Sequence, residues 1–231
     1  MTTYDLTRPL ADGMPGYPGD PPVELREYAS VDADGFRATE LRLTTHSGTH
    51  VDAPAHTEPD GRSIDAFPPD AFRFDAVVLT LPVDAPREPI TRDTLRDALD
   101  EAAPGLADAA EMLVLDTGWA DHWGADRYHD HPYLTGDAAG WLAAAGFHVG
   151  LDAPSVDPTP TDRARPDEPA GLPAHHALLG AGRLVVENLA GLSALPDRVR
   201  LVAYPLPVAD GDAAPARVVA EDTGSSGSRG G

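Results

Sequence analysis

Apolar residues come in short runs along this chain, and their spacing separates strands from helices. Polar and apolar positions alternate over 40–45, and apolar runs occupy 76–81, 112–115, 147–151, 184–186 and 199–204; all six predict strands. Thr91, a residue type that caps helix N-termini, precedes Leu95 and Leu99 at helical spacing and predicts a helix over 91–103. Two more helices are predicted over 137–145 and about 175–180. Strands and helices interleave irregularly, with Pro-rich stretches at 82–89 and 154–173 between them. That order fits a mixed α/β architecture better than a regular doubly wound sheet. The second Pro-rich stretch reads as a surface loop able to cover a site.

Composition sharpens this picture. Twenty-four Pro and 22 Gly spread through the chain imply many short elements joined by turns, which excludes a helical bundle. A length of 231 residues with 42% hydrophobic side chains supports one sizeable core. A single domain is expected over 1–220, and 221–231, rich in Gly and Ser, reads as a flexible tail. No run approaches the roughly 18 apolar residues of a membrane span, and the first residues lack the basic and apolar regions of a secretory signal. A soluble, cytoplasmic protein is expected.

Charge then excludes partners. Thirty-eight acidic residues against 17 basic ones give a formal net charge of −21, and every basic residue is Arg. Such a surface repels phosphate backbones and anionic membranes, so neither nucleic acid nor a membrane is an expected partner. The acidic excess fits either a high-salt habitat or a GC-rich genome.

With no Cys, any metal must be held by His, Asp or Glu. Three of the nine His fall within His46-Ser47-Gly48-Thr49-His50-Val51-Asp52-Ala53-Pro54-Ala55-His56, together with Asp52. Gly48 and Pro54 argue against a helix, and the segment continues the alternating strand at 40–45. On an extended chain His46, His50, Asp52 and His56 share a face as far as Pro54 permits. Imidazole and carboxylate suit a divalent transition metal, and the two oxygens of Asp52 make it the natural bridge between two ions. A structural zinc site is the competing reading. Glu187 closes the apolar strand at 184–186, where an unpaired carboxylate is costly; a metal, or an Arg partner, removes that cost.

The motif resembles the signature of the putative cyclase family, whose best-known members are bacterial kynurenine formamidases. The resemblance extends from Tyr17-Pro18-Gly19-Asp20 through Asp116-Thr117-Gly118-Trp119 and 150–157 to His175-His176 and Glu187-Asn188. It implies a compact single α/β domain with a barrel-like mixed sheet, assembled as a homodimer or homotetramer. It also implies two divalent ions, zinc or manganese. His46, His50 and Asp52 would hold one; Asp52, His175 and Glu187 would hold the other. His56 would move protons, with a fifth metal ligand as its alternative role.

The resemblance further implies hydrolysis of a small-molecule amide. An ion that lowers the pKa of bound water from 15.7 to about 7 removes the need for a Ser or Cys nucleophile. N-formylkynurenine, cleaved to kynurenine and formate, is the leading substrate. Where relatives carry Trp before Pro-Gly-Asp, this chain has Tyr17, whose ring is still able to stack on an aryl group. Isatin-like cyclic amides are the alternative substrates, and a non-catalytic protein that binds metal or a small ligand is the alternative class.

Overall fold

Both faces of the apolar strands are covered, which is why they lack alternation. In the computed structural model, which describes residues 2–83, 85–104 and 110–222, the elements in chain order are β1 (Thr3–Asp5), β2 (Glu24–Ala29), α1 (Val31–Asp34), β3 (Ala38–Arg42), β4 (His50–Asp52), β5 (Arg73–Thr80), β6 (Pro89–Ile90), α2 (Arg92–Ala102), β7 (Met112–Asp116), β8 (Tyr133–Leu134), α3 (Gly136–Ala145), β9 (His148–Leu151), α4 (Pro173–Gly180), β10 (Val185–Glu187), β11 (Arg198–Pro205) and β12 (Ala213–Asp222). Seven strands close into a barrel in the order β12-β11-β5-β7-β9-β10-β4, with β4 pairing back onto β12 and β1 added along β12. From β5 through β7 and β9 to β10 the strands run parallel, and the remaining pairs of the barrel are antiparallel. The architecture is the mixed α/β barrel expected.

Strand periodicity of two divides the core. Phe74, Ala76 and Val78 of β5 join Met112, Val114, Val186 and Leu201 in one cluster, the barrel interior. Val77 and Leu79 point the other way with Leu113, Leu115, Val149 and Val185, against Leu95 and Leu99 of α2, Leu142 of α3 and Leu178 of α4. Each such side chain, fully buried, contributes about 1.5–3 kcal/mol. Thr91 caps α2 by accepting the Thr94 N–H. Among the described residues, no helix is long and apolar enough to cross a membrane.

Three expectations change. The strand at 40–45 ends at Arg42, and β3 pairs only with β2 in a separate hairpin. A turn follows, with Ser47 N–H bonded to Thr44 O at 3.2 Å and Gly48 at φ 66°. That left-handed conformation suits Gly and carries the chain from hairpin to barrel. The shared-face expectation therefore holds only for His50 and Asp52 on β4.

The Pro-rich stretch is also not wholly superficial. Residues 154–159 are buried, and exposure begins at Pro160. Buried Arg87, at φ 58°, pins the stretch to the segment before β6: it donates to Thr159 O at 3.0 Å and binds Glu168 through both Nε and Nη2. Finally, Glu221 and Asp222 belong to β12, paired with Thr3 and Val199. The rest of the expected tail, 223–231, lies outside the described residues.

Candidate metal centre

Register places the acidic centre on the outside of the barrel. Val51 and Val186 pair across β4 and β10 and belong to the interior cluster, so their neighbours face outward. Those neighbours are His50, paired with Glu187, and Asp52, paired with Val185. His175 reaches the same spot from the first turn of α4, which begins at Pro173. His46 comes from the turn before β4, and His56 from the single 3-10 turn Pro54–His56 after it. The structure thus brings together all six residues considered as ligands or proton carrier.

Three imidazoles each aim one nitrogen at Asp52 while an oxygen acceptor holds the other. His50 Nδ1 donates to Gly48 O at 2.9 Å, and its Nε2 lies 3.2 Å from Asp52 Oδ1 and 3.5 Å from Glu187 Oε2. His46 Nε2 lies 2.9 Å from Asp212 Oδ2, and its Nδ1 faces Asp52 Oδ1 at 3.0 Å. His175 Nδ1 lies 2.8 Å from Asp157 Oδ2, and its Nε2 is 3.6 Å from Asp52 Oδ2 and 3.3 Å from Glu187 Oε1. Asp157 also accepts the N–H groups of Ala174 and His175, which fixes the helix end.

The residues fit a metal. His50 Nε2 and both oxygens of Asp52 are buried without a hydrogen-bond partner, although they meet at ion-pair distance. Leaving such groups unsatisfied is costly, and coordination removes the cost. Two groups of donor atoms are close enough to hold an ion: His46, His50 and Asp52, and Asp52, His175 and Glu187. Asp52, fully buried, is common to both.

Electrostatics point the same way. Burial alone would raise the pKa of Asp52, but His50, His175 and His46 hold it well below the usual carboxylate range. Burial pushes His46 down, yet Asp52 and Asp212 outweigh it and lift the pKa to about 9. The carboxylates therefore stabilise positive charge at these ring nitrogens, whether proton or metal ion.

His56 stands apart from Asp52. Its Nδ1 is 3.4 Å from Asp212 Oδ2, and its ring centroid lies 4.2 Å from that of His46 and 5.4 Å from that of His175. Burial lowers its pKa, with the pull of Asp52 opposing, which favours a neutral imidazole able to accept a proton. His46, His56 and Asp212 form a third group close enough to hold an ion, so geometry leaves the ligand role of His56 open.

A cavity of about 170 Å³, open to solvent, ends at these residues. Tyr17, Trp123, Tyr128 and His129 supply its aromatic wall, with Pro154, Ser155 and Leu172 from the pinned loop. Tyr17 is partly buried, and burial raises its hydroxyl pKa.

The sequence profile of the Cyclase family, described as putative cyclase, matches residues 4–158. The chain belongs to the putative cyclase family. Within it, a kynurenine formamidase of Salinibacter ruber is 35% identical over 229 residues, covering 96% of this chain and 98% of that one. Isatin hydrolase A from Ralstonia solanacearum has the same fold, with a TM-score of 0.78 and 25% identity over 95% of this chain and 91% of that one. A structure described as a predicted metal-dependent hydrolase from Bacillus stearothermophilus matches at a TM-score of 0.72 and 26% identity, covering 95% and 97%.

Other residues of this cyclase-family chain fall where the sequence did not direct attention. Asp212 precedes β12 in what reads as an ordinary turn, and neither Trp123, Tyr128 nor His129 carries a spacing signal. Asp157, in the Pro-rich stretch, holds His175. His176 turns outward to Glu58 at 2.9 Å. Trp119 is buried and donates to Tyr128 O, away from the cavity.

Proposed function

We propose that this chain hydrolyses the C–N bond of a small amide at a centre of two divalent ions. His46, His50 and Asp52 would hold one ion, and Asp52, His175 and Glu187 the other. The observation that carries the reading is the convergence of three unsatisfied buried atoms, His50 Nε2 and both oxygens of Asp52, at the end of an aromatic cavity. Family relationship to a kynurenine formamidase and fold likeness to an isatin hydrolase support it. The donor set suits zinc or manganese.

When bound, such ions acidify water and polarise a carbonyl. The chain's own residues would do the rest. Asp212 and Gly48 hold the far nitrogens of His46 and His50, and Asp157 that of His175, so the inward nitrogens need no reorganisation. His56 would take the proton of the attacking water and return it to the leaving nitrogen, a role worth about 10²–10⁴ in rate. Tyr17 would stack on the aryl ring of the substrate.

N-formylkynurenine is the first substrate to test: addition of water across its formamide C–N bond yields kynurenine and formate. A second reading has its own observation. Among the described residues no Arg lines the cavity, and the chain has no Lys, whereas Asp20 and Glu187 do line it. The carboxylate of an amino-acid substrate therefore finds no Arg or Lys side chain there to pair with, and a neutral cyclic amide such as isatin needs none. The proposal carries with it the expected cytoplasmic location and homodimeric or homotetrameric assembly.

The test is turnover of both substrates by purified protein before and after chelation, then with zinc or manganese restored. Chelator-sensitive product formation supports the reading and names the substrate. No turnover of either at full metal occupancy leaves a non-catalytic binding protein.

A further inference from the structure

Asn188 follows Glu187 at the end of β10 and, among the described residues, is one of three non-glycine residues with positive φ, at 59°. It is buried, and each of its polar groups is engaged. The backbone N–H donates to Ala153 O at 3.0 Å, and the carbonyl accepts the Thr49 hydroxyl at 2.8 Å. The side-chain Nδ2 donates to Gly48 O at 3.0 Å, and Oδ1 accepts the Tyr128 hydroxyl at 2.8 Å. Because Gly48 O is able only to accept, the amide nitrogen must be the atom that faces it.

Gly48 O is also the acceptor that His50 Nδ1 uses. One carbonyl therefore takes two donors, and its position decides which nitrogen of His50 carries the proton. With Nδ1 protonated, Nε2 turns its lone pair toward Asp52 and Glu187. The same Asn188 forms the left-handed turn through which the chain leaves Glu187. Gly, Asn and Asp take that conformation readily, but Gly brings no amide and Asp no donor. Asn is the residue that satisfies the backbone, Gly48 and Tyr128 together.

We propose that Asn188 is a positioning residue: by holding Gly48 O against His50 Nδ1 and turning the chain after Glu187, it presets both strands of the centre for metal. The inference rests on the metal reading above, and its first readout needs no metal. Long-range 1H–15N spectra of the ion-free protein report the His50 tautomer. Because Nε2 faces two carboxylates, the spectra are taken at a pH high enough for the ring to be neutral; the wild type should then show Nδ1–H alone, and Asn188→Gly and Asn188→Asp should show a mixture with Nε2–H. Zinc affinity, measured by competition with a chromophoric chelator, should fall by roughly 10–100-fold, the usual effect of losing a partner of a ligand.

A merely structural Asn188 would lower the melting temperature and leave the tautomer alone; a folded Asn188→Gly with wild-type tautomer and wild-type zinc affinity overturns the proposal. Should neither variant fold, Tyr128→Phe decides. It removes only the hydroxyl that orients the amide, so a partial tautomer shift supports the proposal and an unchanged tautomer and affinity defeats it. A tautomer shift in a protein that binds no zinc supports the positioning role and removes the metal reading.

Discussion

His50 on β4 and Glu187 on β10 stand directly opposite each other in an antiparallel pair, with Nε2 and Oε2 3.5 Å apart. The register that faces them outward also sends Val51 and Val186 into the barrel. A slip of one residue would bury the charged pair in the apolar interior and expose the valines, so the hydrophobic pattern that specifies the barrel specifies the centre too.

Asp52 offers one oxygen to His46 and His50 and the other to His175. Asp52→Asn keeps the shape and removes the charge, so affinity at both positions should fall by more than the roughly 10–100-fold that loss of a supporting partner costs. Elemental analysis after dialysis checks this. Retention of one full equivalent of metal would show that the two groups do not share Asp52.

His56 lies nearer Asp212 than Asp52, which separates its expected effect from that of the ligands. His56→Ala should retain metal and lose about 10²–10⁴ in turnover. If the variant instead releases an equivalent of metal, the group of His46, His56 and Asp212 is itself a ligand set and the proton carrier must be sought elsewhere.

Gly61 packs under the turn that carries His56. A Cβ there would overlap the Pro54 carbonyl and lie 2.6 Å from Ala55 N, backbone atoms that cannot swing aside. Gly61→Ala should therefore cost about 1–3 kcal/mol and lower the melting temperature by roughly 2–10 °C. It should also reduce turnover through displaced His56. An unchanged melting temperature would show that the turn relaxes freely.

Local sequence carried much of this site, and its limits have physical causes. His46, His50, Asp52 and His56 are legible because four donors lie within eleven residues, and Glu187 because it ends an apolar strand. The face they share extends only to His50 and Asp52, because Gly48 turns the chain before β4. β12 leaves little mark on the hydrophobic pattern because three of its barrel-facing positions, Ala214, Ala216 and Ala220, are small, and Pro, here Pro215, is rare within strands. Asp212 shows why distant donors are hidden. It meets His46 only because β12 pairs with β4, a contact between residues more than 160 apart in the chain.

Two histidines away from the centre should set the acid limit of the fold. Burial lowers His131 to about 4, with Nδ1 facing Pro132 O and Nε2 facing Thr159 Oγ1. Burial also lowers His148 to about 4, with nearby Arg183 adding to it, and His148 Nδ1 accepts the Leu184 N–H, a bond that protonation removes. Both folded values lie below the unfolded value of about 6.5, so between these limits the unfolded chain binds more protons. The stability contributed is complete above about pH 6.5 and is lost as pH falls toward 4. At 1.36 kcal/mol per unit, each His accounts for about 3 kcal/mol. Urea unfolding at steps from pH 7 to pH 4, with chelator present to remove metal linkage, measures the slope. His148→Asn, whose side-chain oxygen is able to accept the Leu184 N–H, should remove one proton's share of that slope. A slope equal to that of the wild type would mean that His148 titrates normally in the folded protein.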